Sequence, residues 1–298
     1  MNREFLLRFM ENTQFPPAAQ TAILQAADQV AADMSQILAF YEDGYNHEAT
    51  VPHVQQLAAT SEIPEYTLWM VLLILAAEKA RPFYKTEKIY WDTFCDLRYK
   101  AQECFDVYGI WGTFVAHWYP IFFNGSIVKL GRMEYQVKAC PFKEPKTALG
   151  ITVNPGDPIL ALHIPTSFEP FDKEARLESY RMAWEYFCPN GEPLVCVCGS
   201  WLLYDKYDAV FAPGSNIDSF RKEFYMLQSK ASESFGNSWR VFGSQHKLPA
   251  DELPEKTSLQ RAFKQYIQNG GSHGNGTGVI VFDGKRLLSA LNKTGENS

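Results

Sequence analysis

His163 is the side chain best suited to acid–base chemistry, because an unperturbed imidazole titrates near neutral pH. It lies in the apolar run 159–164, and this run ends immediately before Pro165. If this run is a strand, His163 shares a face with Ile159 and Ala161. A histidine at a strand end can act as a general base, and a hydrogen-bonded core histidine is the other outcome of the same pattern.

A second chemical cluster lies on the run 194–199, which is apolar enough to be a buried strand. Cys196, Cys198 and Ser200 project from one face of it, because strand side chains alternate. A thiol nucleophile needs a base and an electropositive setting, and a buried cysteine without them behaves as a small hydrophobe. Ser200, where the strand emerges, is better placed to bind a substrate or to protonate a leaving group. A cysteine-dependent hydrolase is the alternative.

The polar side chains of the run 132–137 are a third candidate. Apolar side chains at 133, 135 and 137 alternate with polar ones at 132, 134 and 136, which predicts a half-exposed strand. Arg132 and Glu134 then either form a surface ion pair worth ~0–1 kcal/mol or present a carboxylate to a cavity. In the cavity, Glu134 would orient an amine or a catalytic water.

Residues 270–278 read Gly-Gly-Ser-His-Gly-Asn-Gly-Thr-Gly, and bare backbone N–H groups of this kind can converge on an anion. A phosphate-binding loop follows a strand and opens a helix, whereas this run follows a predicted helix and precedes a predicted strand. It is therefore either a mobile turn or a loop that covers a ligand. The chain has no H-E-x-x-H or C-x-x-C spacing, so we predict no metal site.

The hydrophobic period changes from 3.6 to 2 after about residue 115. This change predicts a helical domain at 1–115, a mixed domain at 116–291 and a disordered polar tail at 292–298. In the helical domain, Pro64 opens the most apolar helix, which we expect to be central.

Local signals predict the elements of the second domain. The turn residues at 154–157 predict a hairpin between strands 151–153 and 159–164. Asp172 is expected to cap a helix that leads to the strand at 194–199, and Ser215 and Thr257 open two further helices. Residues 240–242 and 278–282 are the remaining strand candidates.

Composition excludes several classes of protein. The 298 residues are 46% hydrophobic and 21% charged, so we expect a globular chain. The formal net charge is -6, and the chain therefore lacks the excess of basic residues that binds nucleic acid. The longest apolar run, 66–77, is too short for a membrane span. The N-terminus places an acid early and does not read as a signal peptide, so we expect a cytoplasmic protein.

Several short segments stand in order along nearly the whole chain, and a Gly-Gly pair at 270–271 closes the series. They are YPIFFNG at 119–125, LGRMEYQ at 130–136, LALHIP at 160–165, CGSWLL at 198–203, SNIDSFR at 215–221 and TSLQRA at 257–262. The series resembles a bacterial family of acyltransferase-domain proteins. In that family a helical N-acyltransferase N-terminal domain precedes a GNAT-like C-terminal domain.

The resemblance implies an α+β fold, with the helical domain packed on a mixed α/β domain that has a central, mostly antiparallel sheet. It also implies a cleft where two parallel strands splay apart around acyl-CoA or acetyl-CoA, and direct transfer of the acyl group to an amine of a small-molecule acceptor. His163 or Glu134 would take the ammonium proton, and Ser200 or Tyr204 would protonate the departing thiolate. The residues expected to bind the CoA co-substrate are Ile164, Thr166, Ser167 and Trp201.

The segment after His163 departs from the family's glycine-rich pyrophosphate loop. Residues 164–171 read IPTSFEPF, in which two prolines lack an amide donor and Glu169 would repel a phosphate. The departure favours an alternative of a different class. On this alternative the chain is a non-catalytic protein that binds a small ligand or a protein partner on a degenerate GNAT-like scaffold.

Overall fold

The computed structural model describes residues 1–291 and divides into two compact units. The first comprises Met1–Lys129 and the short segment Pro165–Phe168, and the second comprises Leu130–Ile164 and the described chain from Glu169 onward. The fold is α+β, as predicted, with a helical N-terminal unit and a second unit built on a mixed sheet. The predicted tail at 292–298 lies outside the described residues.

The first unit is helical and is organised around its fifth helix, α5. Twelve of the sixteen residues of α5 are buried, and α1, α2, α3 and α4 all pack on it, which confirms the central helix predicted after Pro64. Neither α5 nor any other helix within residues 1–291 has the length and apolar character of a transmembrane span. The helices are α1 Arg3–Asn12, α2 Pro17–Gln29, α3 Ala31–Glu42, α4 His47–Ser61, α5 Glu65–Ala80, α6 Glu87–Phe94, α7 Asp96–Tyr108 and α8 Pro120–Phe123.

The first unit continues past residue 115, where the change in period predicts the domain boundary. The hydroxyl of Tyr84 donates to the backbone oxygen of Phe122 at 2.6 Å, and the hydroxyl of Tyr119 donates to the Asp96 carboxylate at 2.8 Å. Both hydrogen bonds are buried. They fix the aromatic segment around α8 to the helices that precede it.

The strands of the described chain are β1 Ile127–Leu130, β2 Met133–Ala139, β3 Lys146–Ala148, β4 Ile151–Val153, β5 Pro158–His163, β6 Leu194–Ser200, β7 Tyr225–Ser232 and β8 His273–Phe282. Six of them form a sheet in the order β1-β2-β5-β6-β8-β7, and β3 pairs with β4 separately. The pair β5–β6 is parallel, whereas β2–β5, β6–β8 and β7–β8 are antiparallel. The sheet is therefore mostly antiparallel, as predicted.

The helices of the second unit begin at the capping residues that the sequence indicated. The Asp172 carboxylate accepts from the backbone N–H of Ala175 at 2.8 Å, the Ser215 hydroxyl accepts from that of Asp218 at 3.2 Å, and Thr257 forms a complete capping box. Helix α9 packs on β2 and β6. The helices are α9 Lys173–Phe187, α10 Asn216–Arg221, α11 Trp239–Phe242, α12 Ser258–Gln268 and α13 Leu288–Leu291.

The predicted hairpin between 151–153 and 159–164 is wrong. The turn between them exists, but β4 pairs with β3 and β5 pairs with β2. The backbone N–H of Cys140, just after β2, donates to the Asp157 oxygen at 2.8 Å, and that of Gly156 donates back to Cys140 at 3.1 Å. These bonds hold the turn beside the end of β2, so β5 extends the β2 ladder.

Residues 240–242 form the helical turn α11 and not the predicted strand. The backbone N–H of Phe242 donates to the Ser238 oxygen at 2.9 Å, and the side chain of Gln260 on α12 donates to the Val241 oxygen at 3.0 Å. Packing against α12 therefore outweighs the β propensity of three residues.

Most of the glycine-rich run 270–278 belongs to β8, in place of the turn or loop that its composition predicts. The strand pairs with β6 on one side and β7 on the other. A Cβ atom on Gly276 would lie 2.0 Å from the Leu203 backbone oxygen, and one on Gly274 would lie 2.4 Å from that of Lys230. The glycines therefore admit neighbouring backbone at distances that any side chain would prevent.

Candidate active site

The parallel strands β5 and β6 part toward their carboxyl ends. They pair only at two positions, Leu160 with Cys196 and Ala161 with Val197. Beyond them, β5 stays paired with β2 as far as His163, and β6 stays paired with β8 as far as Ser200. Ligands of sheets with parallel strands bind outside the carboxyl ends of those strands, so this opening is the candidate active site.

Side chains reach the opening from both faces of the sheet. Glu134 lies opposite His163 in the β2–β5 register, so both project from one face. Leu160 lies opposite Cys196, and Ser200 follows on the Cys196 face because strand side chains alternate. His163, three residues after Leu160, is on the opposite face. The structure therefore brings His163 and Glu134 together and places Ser200 across the sheet from them.

The imidazole of His163 is half-buried and hydrogen-bonded. Its Nε2 atom lies 3.0 Å from Oε1 of Gln136. A carboxamide oxygen only accepts, so Nε2 donates in this pair and Nδ1 carries the lone pair. Burial, with a smaller effect of the Lys138 charge, lowers the pKa of His163 to about 4. The imidazole is therefore neutral near pH 7. Gln136, which holds its orientation, was not singled out by the sequence pattern.

Glu134 is only 2% exposed, and Arg132 is 8% exposed. The predicted half-exposed strand is therefore wrong for the first four residues of β2, which are buried on both faces. The face opposite Glu134 carries Tyr135, whose hydroxyl lies 2.9 Å from the Ser179 hydroxyl on α9. A surface ion pair is excluded as the role of Glu134. Its register position opposite His163, at the end of β5, makes it a functional candidate.

The end of β6 carries three of the predicted site residues. The Ser200 oxygen accepts from the backbone N–H of Leu202 at 3.2 Å, which leaves its own O–H able to donate elsewhere. Trp201 is half-buried, and its ring lies 5.8 Å from that of Phe263. Tyr204 is buried, and its hydroxyl lies 2.8 Å from the Ser272 hydroxyl. The hydroxyl of Ser200 is therefore more available for hydrogen bonding to a ligand than that of Tyr204.

The four residues predicted to bind the co-substrate belong to different units. Ile164 and Trp201 are in the second unit, whereas Thr166 and Ser167 are in the first. In the first unit the neighbouring Phe168 is 78% exposed, and its ring lies 6.2 Å from that of Tyr99. A role for Thr166 and Ser167 in donor binding stays a prediction.

The cysteines on β6 are unsuited to nucleophilic chemistry. Cys196 and Cys198 are buried, and burial raises the pKa of Cys196 well above its usual range and that of Cys198 to about 12. Both thiols are therefore protonated near pH 7. The thiolate is the reactive form of cysteine, so the structure argues against a cysteine-dependent hydrolase.

Ser272 lies in a G-x-S-x-G spacing at 270–274. In a serine hydrolase this spacing forms a sharp turn from a strand to a helix. Here the chain passes the other way, from helix α12 to strand β8. Ser272 does not occupy a nucleophile elbow, and its hydroxyl is hydrogen-bonded to Tyr204.

A buried ion pair beneath the segment after β5 escaped the sequence analysis. Arg176 on α9 is fully buried, and its Nη2 atom lies 2.7 Å from Oε1 of Glu223. Tyr180 donates to the same carboxylate at 2.8 Å, and Arg176 also donates to the backbone oxygen of Phe171 at 2.7 Å. The spacing of Arg176 and Tyr180, on one helix face, was the available signal.

A helical unit followed by a mixed sheet that opens between two parallel strands is the arrangement of a GNAT-like fold. Residues 4–125 match the family described as N-acyltransferase N-terminal domain, and residues 127–280 match the family described as GNAT-like C-terminal domain. The chain belongs to this two-domain family, which confirms the resemblance seen in the sequence. No curated protein matches it.

Solved structures share the fold at low sequence identity. An acyltransferase in complex with decanoyl-CoA has a TM-score of 0.71 and 19% identity, over 91% of this chain and 86% of that one. A complex of an acyltransferase with decanoyl-CoA and teicoplanin has a TM-score of 0.69 and 20% identity, over 92% and 86%. An acyltransferase mutant with octanoyl-CoA has a TM-score of 0.70 and 19% identity, over 92% and 86%. At these identities the likeness shows the fold.

Proposed function

We propose that this protein transfers an acyl group from acyl-CoA to an amine of a small-molecule acceptor by direct attack, with no covalent enzyme intermediate. The observation that carries the proposal is the two-position pairing of β5 with β6. It leaves an opening at the carboxyl ends of parallel strands, in a fold shared with acyltransferases that bind octanoyl-CoA and decanoyl-CoA.

The opening suits an extended thioester donor. Leu162 and His163 pair with β2, whereas the pairing of β5 with β6 ends at Ala161. A donor with amide groups along its chain can pair with such an edge as an added strand does. The thioester carbonyl would then lie near the backbone of His163 and Ile164, where an N–H group can polarise it.

Glu134 and His163 are the proposed proton acceptors. The amine nitrogen attacks the thioester carbon, and the resulting ammonium loses its proton as the C–S bond breaks. Glu134 is buried beside His163, so a carboxylate there attracts the positive charge that develops on the nitrogen. The neutral imidazole can accept the proton directly or through a water.

Ser200 is the proposed donor to the departing thiolate, and Tyr204 is the second candidate. The Ser200 oxygen accepts from Leu202, so its O–H remains available, whereas Tyr204 is buried against Ser272. A donor on the opposite face from Glu134 keeps the two proton transfers apart.

The acceptor we propose is an amine-bearing small molecule. One solved relative in fold contains teicoplanin together with decanoyl-CoA, which supports testing large amine acceptors beside small ones. A cytoplasmic location remains a prediction from the sequence.

Turnover is tested by measuring CoA thiol release from acyl-CoA donors of increasing chain length against a panel of amines. We expect release that requires both substrates, and mass spectrometry should find the acyl group on the acceptor nitrogen. If no donor binds in calorimetry and no thiol is released, the proposal is wrong.

The non-catalytic alternative rests on one observation, the two prolines and Glu169 where a glycine-rich pyrophosphate loop would lie. It predicts that the protein binds a ligand in the opening and releases no CoA with any acceptor. A His163→Ala variant that binds as wild type, together with an inactive wild type, would favour it.

A further inference from the structure

Gly199 is a glycine in the middle of the sheet that the backbone does not require. It lies on β6, the fourth strand in a sheet of six, and its φ angle is outside the left-handed region. Apart from the adjoining residues, a Cβ atom on Gly199 would have one neighbour within 4 Å, the Thr277 hydroxyl oxygen at 3.8 Å. Gly276 on β8, by contrast, has no room for one. A glycine inside a strand lowers stability and often marks a place where a ligand approaches the backbone closely.

The sheet face that carries Gly199 is covered over only part of its length. Val197 and Val279 belong to a buried apolar cluster on this face, and β4 packs against the cluster. Two residues further along β6, Gly199 is exposed, and Thr277, its partner on β8, is partly exposed. The face is therefore covered beside Val197 and accessible at Gly199.

His163 lies on the same face as Gly199. Ala161 of β5 pairs with Val197 of β6, and two residues further along these parallel strands are His163 and Gly199. They stand on the two sides of the opening between β5 and β6. Glu134 is opposite His163 on β2. The two candidate proton acceptors and the exposed glycine therefore share one face of the sheet.

Thr277 and Gln228 continue this level of the sheet toward its edge. Thr277 pairs with Gly199 on one side and with Gln228 of β7 on the other. A bulge between Met226 and Gln228 shifts the register of β7, and the Gln228 amide donates to the Thr277 hydroxyl at 3.4 Å. Among the described residues neither side chain forms another hydrogen bond. The Thr277 O–H and the Gln228 carbonyl oxygen can therefore bind a ligand.

The glycine-rich run of β8 places its polar side chains on this face. Gly274 and Gly276 alternate with Asn275 and Thr277. A Cβ atom on either glycine would collide with neighbouring backbone, so the glycines lie toward the packed face and the polar side chains toward the open one. Asn275 is exposed and Thr277 is partly exposed. The run therefore lines the open face with uncharged hydrogen-bonding groups.

We propose that Gly199, Thr277 and Gln228, here called the polar row, bind the acceptor, and that the acceptor is an amine with neutral hydroxyl or amide groups beside its nitrogen. The inference rests on the proposed function and deepens it by naming the class of acceptor. An attacking amine must come within reach of the group that takes its proton. The polar row lies on the face of Glu134 and His163, the proposed proton acceptors.

The shape and charge of the polar row define what it can select. Neighbouring strands are about 4.8 Å apart, so the row extends on the order of 10 Å from Gly199 to the edge strand β7. Gly199 lets an acceptor lie directly against the backbone of β6. The row has no charged member, so selection depends on hydrogen bonds. A site built to hydrogen-bond a hydroxyl group rejects the analogue that lacks it.

The test measures kcat/KM for two amines of the same shape, serinol and 3-aminopentane, with octanoyl-CoA as the donor. Each hydroxyl group of serinol is replaced by a methyl group in 3-aminopentane. We expect wild type to prefer serinol at least about tenfold. Thr277→Val should remove most of this preference, because valine keeps the shape of the side chain and lacks the hydroxyl.

Gly199→Val should lower kcat/KM for both amines at least about tenfold, because its side chain occupies the space along the polar row. Gly199→Ala should show a smaller decrease. Octanoyl-CoA affinity in calorimetry should stay within about twofold of wild type in both variants. Their melting temperatures should be unchanged or higher, because the new Cβ atom has room and valine favours strands.

Gly236→Val and Thr152→Val are the matched controls. No atom lies within 4 Å of the Cβ position of Gly236, and Thr152 is exposed on β4, outside the polar row. Both should leave kcat/KM unchanged.

Three results would each show that this inference is wrong while the proposed function stands. Wild type acylates other amines but does not prefer serinol, Gly199→Val acylates both amines as wild type does, or Gly199→Val loses octanoyl-CoA affinity instead. If wild type binds no acyl-CoA and acylates no amine of the wider panel, the proposed function itself fails.

Discussion

The Nε2 atom of His163 lies 3.0 Å from Oε1 of Gln136, across the β2–β5 ladder. This pair orients the imidazole at the end of β5 and keeps its second nitrogen as the acceptor. Burial is the main reason why the pKa of His163 is lowered to about 4 in the folded chain. In the unfolded chain the same imidazole binds a proton with a pKa of about 6.5.

Acid should therefore destabilise the protein through His163. As the pH falls from about 6.5 to about 4, the unfolded state binds a proton that the native state does not, so the free energy of unfolding decreases by about 1–3 kcal/mol through this residue. A His163→Gln variant should lack this part of the pH dependence. Denaturant unfolding across the window measures it, and identical profiles for both proteins would contradict the assignment.

Glu134→Gln should lower kcat on the order of a hundredfold or more, because general base catalysis contributes about that much. His163→Gln should have a smaller effect, since an imidazole with a pKa of about 4 is a weak base near neutral pH. Steady-state kinetics of CoA release measure both. Glu185→Gln, an exposed position on α9, is the control. An undiminished kcat in Glu134→Gln would remove that residue from the mechanism.

Gly276→Ala should destabilise the protein by more than about 2 kcal/mol. The new methyl group would lie 2.0 Å from the Leu203 backbone oxygen, so β8 or the turn after β6 must move. Gly236→Ala is the control, because nothing lies within 4 Å of its Cβ position. Thermal and denaturant unfolding give the comparison, and equal stabilities would show that the strand tolerates a side chain.

Arg176→Met should cost about 3–5 kcal/mol, because it leaves the Glu223 carboxylate buried without its cation. Arg181→Met, on the exposed side of the same helix, should leave the free energy of unfolding nearly unchanged. Adding Glu223→Gln to Arg176→Met should recover part of the loss. A single substitution at 176 that unfolds like the one at 181 would refute the buried-charge argument.

Iodoacetamide should modify Cys95 before Cys196 or Cys198. Cys95 is partly exposed, while the two β6 thiols are buried with raised pKa values. Peptide mass spectrometry after brief labelling identifies the modified residues. Preferential labelling of Cys196 or Cys198 in the folded protein would revive a cysteine-dependent reaction.

Local chemistry in the sequence predicted most helix starts, but not the strand partners, and it was wrong for residues 240–242 and for the glycine-rich run. The helix starts at Asp172, Ser215 and Thr257 follow from side chains within three residues of each cap. The strand pairing of β4 does not, because turn residues indicate a reversal without saying which ladder the next strand joins.

The candidate site was predictable in part for the same reason. The residue types at the ends of β5 and β6 predicted His163 and Ser200 as site residues. Their separation onto opposite faces depends on the register of two strands joined by a long crossover. The burial of β2 depends likewise on contacts distant in the sequence, such as that of Tyr135 with Ser179 on α9.

The glycines of β8 also affect how the opening between β5 and β6 can change its width. Ser200, the last residue of β6, pairs with Gly276 of β8. In the turn that follows, the backbone oxygen of Leu203 packs closely against the same glycine. The β6 side of the opening is thus held by β8 along the whole strand, and the close contact at its end requires a residue without a Cβ atom. On the proposed function, a bulkier acyl group is therefore expected to enter without displacing β6.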